Sequence, residues 1–167
     1  MCGTAADAPA ITELVAEAFA TYTDWAPPGW HLPNLDEEMR EVLEEWLDKP
    51  VAWSEVALDD AKPVGYVSLL PARTYEEPEL FVPELGHLWH LFVLREWWGS
   101  GLATRLLNDA TDEARRREYH AVRLWTPRDS ARARAFYARE GWTPTGAERY
   151  AENLQLDLVE LRRMLSP

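Results

Sequence analysis

The chain has few features that would indicate disulfide bonds, membrane insertion or export. Its 167 residues contain one cysteine, Cys2, which excludes an intramolecular disulfide and favours a cytoplasmic location. No apolar run is long enough to cross a bilayer. The N-terminal residues lack a basic segment followed by an apolar one, so we expect no signal peptide. We also expect no metal site.

Positive charge is scarce relative to negative charge. The chain has 29 Asp and Glu against 17 Lys and Arg, a net charge of −12. This charge repels nucleic acids and anionic membranes, and it disfavours both as partners. It suits a cationic amine, although acidic surfaces also serve solubility. The length and a hydrophobic fraction of 47% predict one globular domain over residues 1–167.

Tryptophan, by contrast, is abundant, with nine residues. Most should lie in the core or at interfaces, because large aromatic side chains contribute strongly to burial. Some could line a pocket, where aromatic faces attract a cation.

Hydrophobic periodicity predicts a mixed organisation of strands and helices. An early hairpin is followed by alternating strands and helices, which indicates a mixed sheet. Residues 25–33 and 71–83 are expected to be loops, the second shaping a substrate entrance. One predicted helix begins at Asp7, and three others cover residues 35–47, 102–117 and 129–139. The predicted strands cover residues 51–58, 64–70, 86–93 and 121–125, with at least one more after Gly141.

A Gly-Ser-Gly loop follows the strand that ends at Val93. Gly99 and Gly101 let a ligand approach the backbone, and the helix that begins at Leu102 has unpaired N–H groups at its positive end. Together they predict a diphosphate site, although an ordinary turn is the alternative reading. The loop lacks the Lys-Ser or Lys-Thr of ATPase phosphate loops and the third glycine of dinucleotide folds.

A second motif lies in the helix that precedes Gly141. It reads Ala133-x-x-Phe136-Tyr137-x-x-x-Gly141-Trp142. With the strand end Leu91-Phe92-Val93 and the loop of residues 98–103 upstream, this order resembles the GNAT superfamily of acyl-CoA-dependent N-acyltransferases over about residues 4–165.

The resemblance implies an α+β fold with a central mixed, mostly antiparallel sheet flanked by helices. Two strands splay apart, the pantetheine arm of acetyl-CoA enters the gap, and the glycine loop wraps the pyrophosphate. The cofactor-binding residues it implies are Phe92, Val93, Trp98, Gly99, Ser100, Gly101, Leu102, Ala103, Ser130 and Ala133.

The chain departs from the family pattern at three places. Trp98 stands where the family usually has Gln or Arg, and Arg95, Arg105 and Arg128 are alternatives for the missing positive charge. Ser130 stands in place of a usual Asn. The first strand is nearly absent, because few residues precede the first helix.

The resemblance also suggests the catalytic residues. Tyr137 would protonate the leaving thiolate; the alternative is a packing role. Counting back from the splay places His87 as the general base, since an imidazole titrates near neutral pH. Strict strand alternation puts His87 and His90 on opposite faces. Glu84 is the reserve base, through a water, and backbone N–H groups near Val93 would stabilise the oxyanion.

These expectations predict an acetyl-CoA-dependent N-acetyltransferase that acts on a primary amine of a small molecule. The alternative is a catalytically degenerate protein that binds acyl-CoA or an amine as a sensor. A homodimer is possible. Metabolites, amino acids, aminoglycoside-like antibiotics and protein amines all remain open as acceptors.

Overall fold

A central sheet of six strands organises the chain. The structure is a computed structural model that describes residues 2–32, 36–74, 77 and 80–165. The strand order is β1-β2-β3-β4-β6-β5. The strands are β1 Trp53–Asp59, β2 Lys62–Arg73, β3 Phe81–Val93, β4 Ala121–Pro127, β5 Thr143–Ala151 and β6 Leu156–Met164, and the helices are α1 Ala8–Ala20, α2 Asp36–Trp46, α3 Leu102–Arg116 and α4 Ala131–Arg139.

The pairing of these strands confirms the mixed, mostly antiparallel sheet. β3 and β4 are parallel and are joined through α3, whereas the other four neighbouring pairs are antiparallel. A parallel pair needs such a crossover connection, which places α3 against the sheet. In the described part of the chain, no helix is long and apolar enough to cross a membrane.

The parallel pair separates soon after it forms. β3 pairs with β4 only from Leu85 to His87, opposite Ala121 to Arg123. Beyond these residues the two strands diverge, so the end of β3 and the end of β4 face a gap. The fold prediction of two splayed strands is confirmed.

Helices cover both faces of the sheet and bury its core. On one face, a Cβ built on Gly65 of β2 would lie 2.9 Å from the end of the Leu106 side chain of α3, so the glycine lets this helix pack closely on the sheet. On the other face, the ring of Phe19 in α1 lies 5.2 Å from the ring of Phe92 in β3. Leu106 and Leu107 are fully buried, and each contributes about 1.5–3 kcal/mol of hydrophobic free energy.

The hairpin strands β2 and β3 extend further than predicted. Residues 71–73 and 81–83 are strand rather than loop, and Arg73 pairs with Phe81. An irregularity in register between Pro71 and Arg73 accommodates this proline-containing stretch. Residues 75, 76, 78 and 79 of the predicted loop, and residues 33–35 of the first loop and second helix, lie outside the described residues.

The first described residues pair with the sheet at a single position. Cys2 forms one isolated bridge with Glu55 of β1. Asp7 precedes α1, but its side chain makes no capping hydrogen bond to the helix. Its carboxylate accepts hydrogen bonds from the backbone N–H and the hydroxyl of Thr4 instead.

A bulge in β3 decides which residues share a face. Ser68 of β2 pairs with His90 and Leu69 pairs with Leu88, which leaves Trp89 without an opposite residue. Leu70, on the same face of β2 as Ser68, pairs with His87. The two histidines therefore lie on one face of the sheet. The prediction of opposite faces is wrong, because one extra residue reverses the alternation.

Candidate active site

The gap between β3 and β4 continues into a cavity of about 720 Å³. Residues 88–93 of β3 line one side of it and residues 124–127 of β4 line the other. The end of α1, the glycine loop and α4 complete the walls. This volume lies within the range of small-molecule sites.

The backbone of Val93 faces the gap. The N–H of the next residue, Leu94, donates to the carbonyl of Val64 on β2. Because successive residues of an antiparallel strand point their backbone groups in opposite directions, the N–H and C=O of Val93 point away from β2. The indole Nε1 of Trp98 donates to this Val93 carbonyl at 3.1 Å, which agrees with that direction.

The glycine loop leaves space at the start of α3. Gly99 and Gly101 have φ angles of +80° and +88°, and a Cβ built on either would meet nothing within 4 Å. Gly101, Ala103 and Thr104 line the cavity at the helix N-terminus. The first amides of a helix have no acceptor within the helix, so this corner attracts an anion.

Most of the predicted cofactor-binding residues lie in this cavity, and two do not. Its lining includes Phe92, Val93, Trp98, Gly99, Gly101, Ala103, Ser130 and Ala133. The Ser100 hydroxyl instead stabilises the turn: it donates to Trp97 O at 2.7 Å and accepts from Leu102 N at 3.2 Å. Leu102 packs into the core, 3.2 Å from a Cβ built on Gly65. Ser130 is buried at the start of α4, where its side chain makes no capping hydrogen bond.

The three arginines that were alternatives for positive charge beside Trp98 all form ion pairs with carboxylates. Arg95 pairs with Asp24, Arg105 with Glu55 and Asp109, and Arg128 with Asp157. None of these arginines lines the cavity.

Arg132, a residue that the sequence reasoning missed, lies beside the loop instead. It lies in the first turn of α4 and lines the cavity. Its guanidinium carbon is 3.9 Å from the ring centre of Trp98, and Arg95 packs at 5.0 Å from the same ring. Within the described part of the chain, no carboxylate forms an ion pair with Arg132. The sequence signal that could have identified it is its place next to Ala133, one of the residues that carry the resemblance.

Tyr137 lies where the motif predicts, in the wall formed by α4. The side chain is 9% exposed, and its ring packs 5.2 Å from Phe136 and 5.9 Å from Trp142. Burial raises the pKa of the Tyr137 phenol, with a smaller contribution from Tyr22 across the cavity. The phenol therefore keeps its proton throughout the neutral range.

His90 is the histidine that lines the cavity. Its Nδ1 lies 3.2 Å from the Ser68 hydroxyl, and Tyr66 hydrogen bonds to Ser68 and Ser54 beneath it. The imidazole stacks on Trp89 at 4.2 Å. Burial lowers the pKa of His90 to about 3, so it is neutral at physiological pH.

His87 lies outside the cavity lining, with its acceptor nitrogen already engaged. The Nε of Arg123 donates to His87 Nδ1 at 3.3 Å, which places the imidazole proton on Nε2. Burial, then the positive charge of Arg123, lowers the pKa of His87 to about 3. The geometry gives no support to the prediction that His87 is a base titrating near neutral pH.

Glu84 also lies outside the cavity lining. It precedes the paired part of β3 and β4, whereas the cavity begins at Leu88. Its Oε2 lies 3.0 Å from His120 Nδ1, and both side chains are exposed. The structure does not bring this carboxylate to an amine in the gap.

A gap between splayed strands, a glycine-opened helix N-terminus and a buried tyrosine in one cavity define an acyl-CoA-dependent transferase fold. The model of the acetyltransferase (GNAT) family matches residues 17–142, and the chain belongs to this family. Acetyltransferases of this family use acetyl-CoA as acyl donor. No curated protein sequence matches the chain significantly.

Solved structures of acetyltransferases share the fold. PaiA N-acetyltransferase from Thermoplasma acidophilum, solved with coenzyme A, has a TM-score of 0.75 at 14% identity, with 98% of this chain and 96% of that chain covered. Ribosomal-protein-alanine N-acetyltransferase from Brucella melitensis has a TM-score of 0.73 at 23% identity, with 99% and 98% covered. Aminoglycoside 6′-acetyltransferase type Ii has a TM-score of 0.69 at 17% identity, with 96% and 90% covered. These identities establish the fold and not the substrate.

Proposed function

We propose that the protein is an N-acetyltransferase that moves an acetyl group from acetyl-CoA to a primary amine of a small molecule. The observation that carries the proposal is the placement of Tyr137, the Val93 backbone and the glycine loop in one cavity. Family membership supplies the reaction class.

The residues of the cavity fit acetyl-CoA. The Val93 N–H, which points away from β2, is a donor for an amide-rich arm or a thioester carbonyl. The open space at Gly99 and Gly101 and the helix amides next to it suit the diphosphate. Arg132 adds a positive charge beside the same loop. The acetyl thioester supplies the activated acyl carbon.

The cavity supplies groups for the attack and for the departure of the thiolate, and solvent takes up and returns the protons. The amine nitrogen forms the new C–N bond at the acyl carbon, and the Val93 N–H donates to the developing oxyanion. Tyr137 donates a proton to the departing sulfur as the C–S bond breaks. The neutral His90 accepts a hydrogen bond from the amine and orients its lone pair. The amine gives up its protons to solvent, and solvent restores the proton of Tyr137.

The proposed role of His90 predicts the pH dependence. A histidine that stays neutral contributes no titration between pH 5 and 9, so the rising limb of kcat/KM should follow the pKa of the substrate amine. Two amines whose pKa values differ should shift the limb by that difference. A limb that stays near pH 6.5 for both amines would assign the proton transfer to an imidazole instead.

The experiment that tests the function is thiol release from acetyl-CoA with a panel of amines, with the acetylated product confirmed by mass spectrometry. Amine-dependent thiol release supports the proposal. Tight binding of acetyl-CoA with only slow, amine-independent hydrolysis contradicts it and supports the alternative of a degenerate acyl-CoA-binding protein.

A further inference from the structure

Aromatic side chains form a large part of the cavity lining. Tyr22, Trp25, Trp89 and Trp125 line the cavity, and we call them the aromatic wall. The ring centres of Tyr22 and Trp25 are 4.7 Å apart. Tyr22, Trp25 and Trp125 also pack against the same buried cluster at the start of β6, which fixes the wall to the sheet.

The aromatic wall is a specific arrangement and not only a part of the core. Tyr22, Trp25 and Trp125 belong to three different elements: the turn after α1, the loop that follows it, and β4. Trp89 reaches the cavity because it is the bulged residue of β3. Its ring stacks on His90, so an aromatic surface continues up to the group that we place beside the amine.

Negative charge is scarce in the same cavity, although the chain as a whole is strongly acidic. Among the described residues that line it, Asp24 is the only carboxylate, and Asp24 is paired with Arg95. The other charged residues in its lining are the cations Arg132, beside the glycine loop, and Arg139, which is paired with Glu140. An acceptor with several ammonium groups would bury its charges here without partners, which is costly.

Resting on the proposed function, we infer that the acetyl acceptor is an amine carried on an apolar, aromatic body, and not a polyamine or an aminoglycoside. The flat rings of the aromatic wall match an aromatic body in offset or edge-to-face contact. One ammonium group can lie over an aromatic face before it loses its proton. Several ammonium groups cannot be accommodated in this way beside a carboxylate that is already paired.

The experiment compares three amines as acceptors: phenethylamine, spermidine and the aminoglycoside tobramycin. Amine binding is measured in parallel without acetyl-CoA, by quenching of tryptophan fluorescence. We expect kcat/KM for phenethylamine to exceed the other two by at least about tenfold, the ratio that loss of an apolar contact typically gives. Higher kcat/KM for spermidine or tobramycin overturns the inference and leaves the acetyltransferase function intact.

Trp25 offers the sharpest variant, because it lies in a loop. Trp25→Ala should raise the KM for phenethylamine by about tenfold, leave kcat and the KM for acetyl-CoA unchanged, and weaken the fluorescence response. Trp46→Ala is the matched control, because Trp46 is half-buried outside the cavity and packs on Lys49 and Arg73. Trp25→Leu replaces the alanine variant if the latter does not fold by circular dichroism. Unchanged kinetics and quenching in a folded Trp25 variant overturn the inference.

The two proposals fail in different ways. Quenching by phenethylamine without thiol release from any amine contradicts the acetyltransferase function and supports the aromatic acceptor site. Thiol release with spermidine alone supports the acetyltransferase function and contradicts the aromatic acceptor site. The absence of both quenching and thiol release with phenethylamine overturns the inference.

Discussion

Replacement of the Tyr137 hydroxyl tests the catalytic step directly. Tyr137→Phe keeps the ring contacts with Phe136 and Trp142, at 5.2 Å and 5.9 Å, and removes only the proton donor. Because one hydroxyl is lost and the ring packing stays, we expect the free energy of unfolding to change by no more than about 1 kcal/mol. The effect should therefore fall on the chemistry and not on the fold.

The magnitude follows from what the phenol supplies. Its pKa is raised by burial, so it is protonated at every pH of the assay and can donate as the thiolate forms. Loss of a general acid typically reduces the rate by roughly 10²–10⁴-fold, or about 3–5 kcal/mol of transition-state stabilisation. We expect this loss in kcat, with little change in the KM for acetyl-CoA. The raised pKa also predicts no decline in the wild-type rate as pH rises to 10.

Single-turnover kinetics is the assay, because it separates the chemical step from product release. Tyr150→Phe is the matched control, since Tyr150 is 58% exposed and lies outside the cavity. A single-turnover rate of Tyr137→Phe equal to that of the wild type would refute the reasoning and leave Tyr137 a packing residue. A loss confined to KM would assign the hydroxyl to binding.

Three further predictions concern the cofactor corner and the cavity histidine. Gly101→Glu should abolish measurable CoA binding by calorimetry, whereas Gly146→Glu, with nearly the same φ of +89° and the same open surroundings, should bind normally; equal affinities would exclude the loop from the site. Arg132→Ala should weaken CoA binding by about tenfold, as expected for loss of a partly solvated charged contact. Arg134→Ala, at another exposed position of α4, is the control and should bind CoA normally. Equal losses in the two variants would indicate a general charge effect. Because the pKa of His90 is lowered in the folded state, the unfolded state binds more protons between pH 6.5 and 3. The contribution of His90 to the free energy of unfolding is therefore complete above pH 6.5 and is lost below it, by up to about 1.4 kcal/mol per pH unit. Urea unfolding at pH 7.5, 6.5 and 5.5 should show a shallower slope for His90→Gln; a slope equal to that of the wild type would contradict the buried neutral imidazole.

The sequence predicted the parts of the site that depend on local pattern. Glycines 99 and 101 need positive φ, and the helix they open could be anticipated from residues 98–103 alone. The place of Tyr137 was implied by the resemblance, through one motif that spans residues 133–142. The order of strands and helices followed from periodicity, which is also a local property.

The parts that depend on non-local pairing could not be predicted. The bulge at Trp89 exists only because β3 pairs with β2 in a shifted register, and it exchanges His87 for His90 in the cavity. The lowered pKa of His87 depends on burial in the folded sheet, and then on the positive charge of Arg123, which lies across the parallel strand pair. The extension of β2 to Arg73 depends on its pairing with Phe81. Each is set by residues distant in sequence, which a pattern in one segment does not report.

Trp98 shows how a departure from a motif can be compatible with the same chemistry. Its indole N–H donates to the Val93 carbonyl at 3.1 Å, and this bond ties the loop to the end of β3. The bond uses the carbonyl and leaves the Val93 N–H facing the gap, where we place the oxyanion. The ring also packs against Arg132 at 3.9 Å, so a positive charge stands beside the glycine loop although the first residue of the loop is uncharged. Arg132 of α4, and not the first residue of the loop, is thus the cation beside the glycine loop. The absence of Gln or Arg at position 98 does not by itself argue for a degenerate protein.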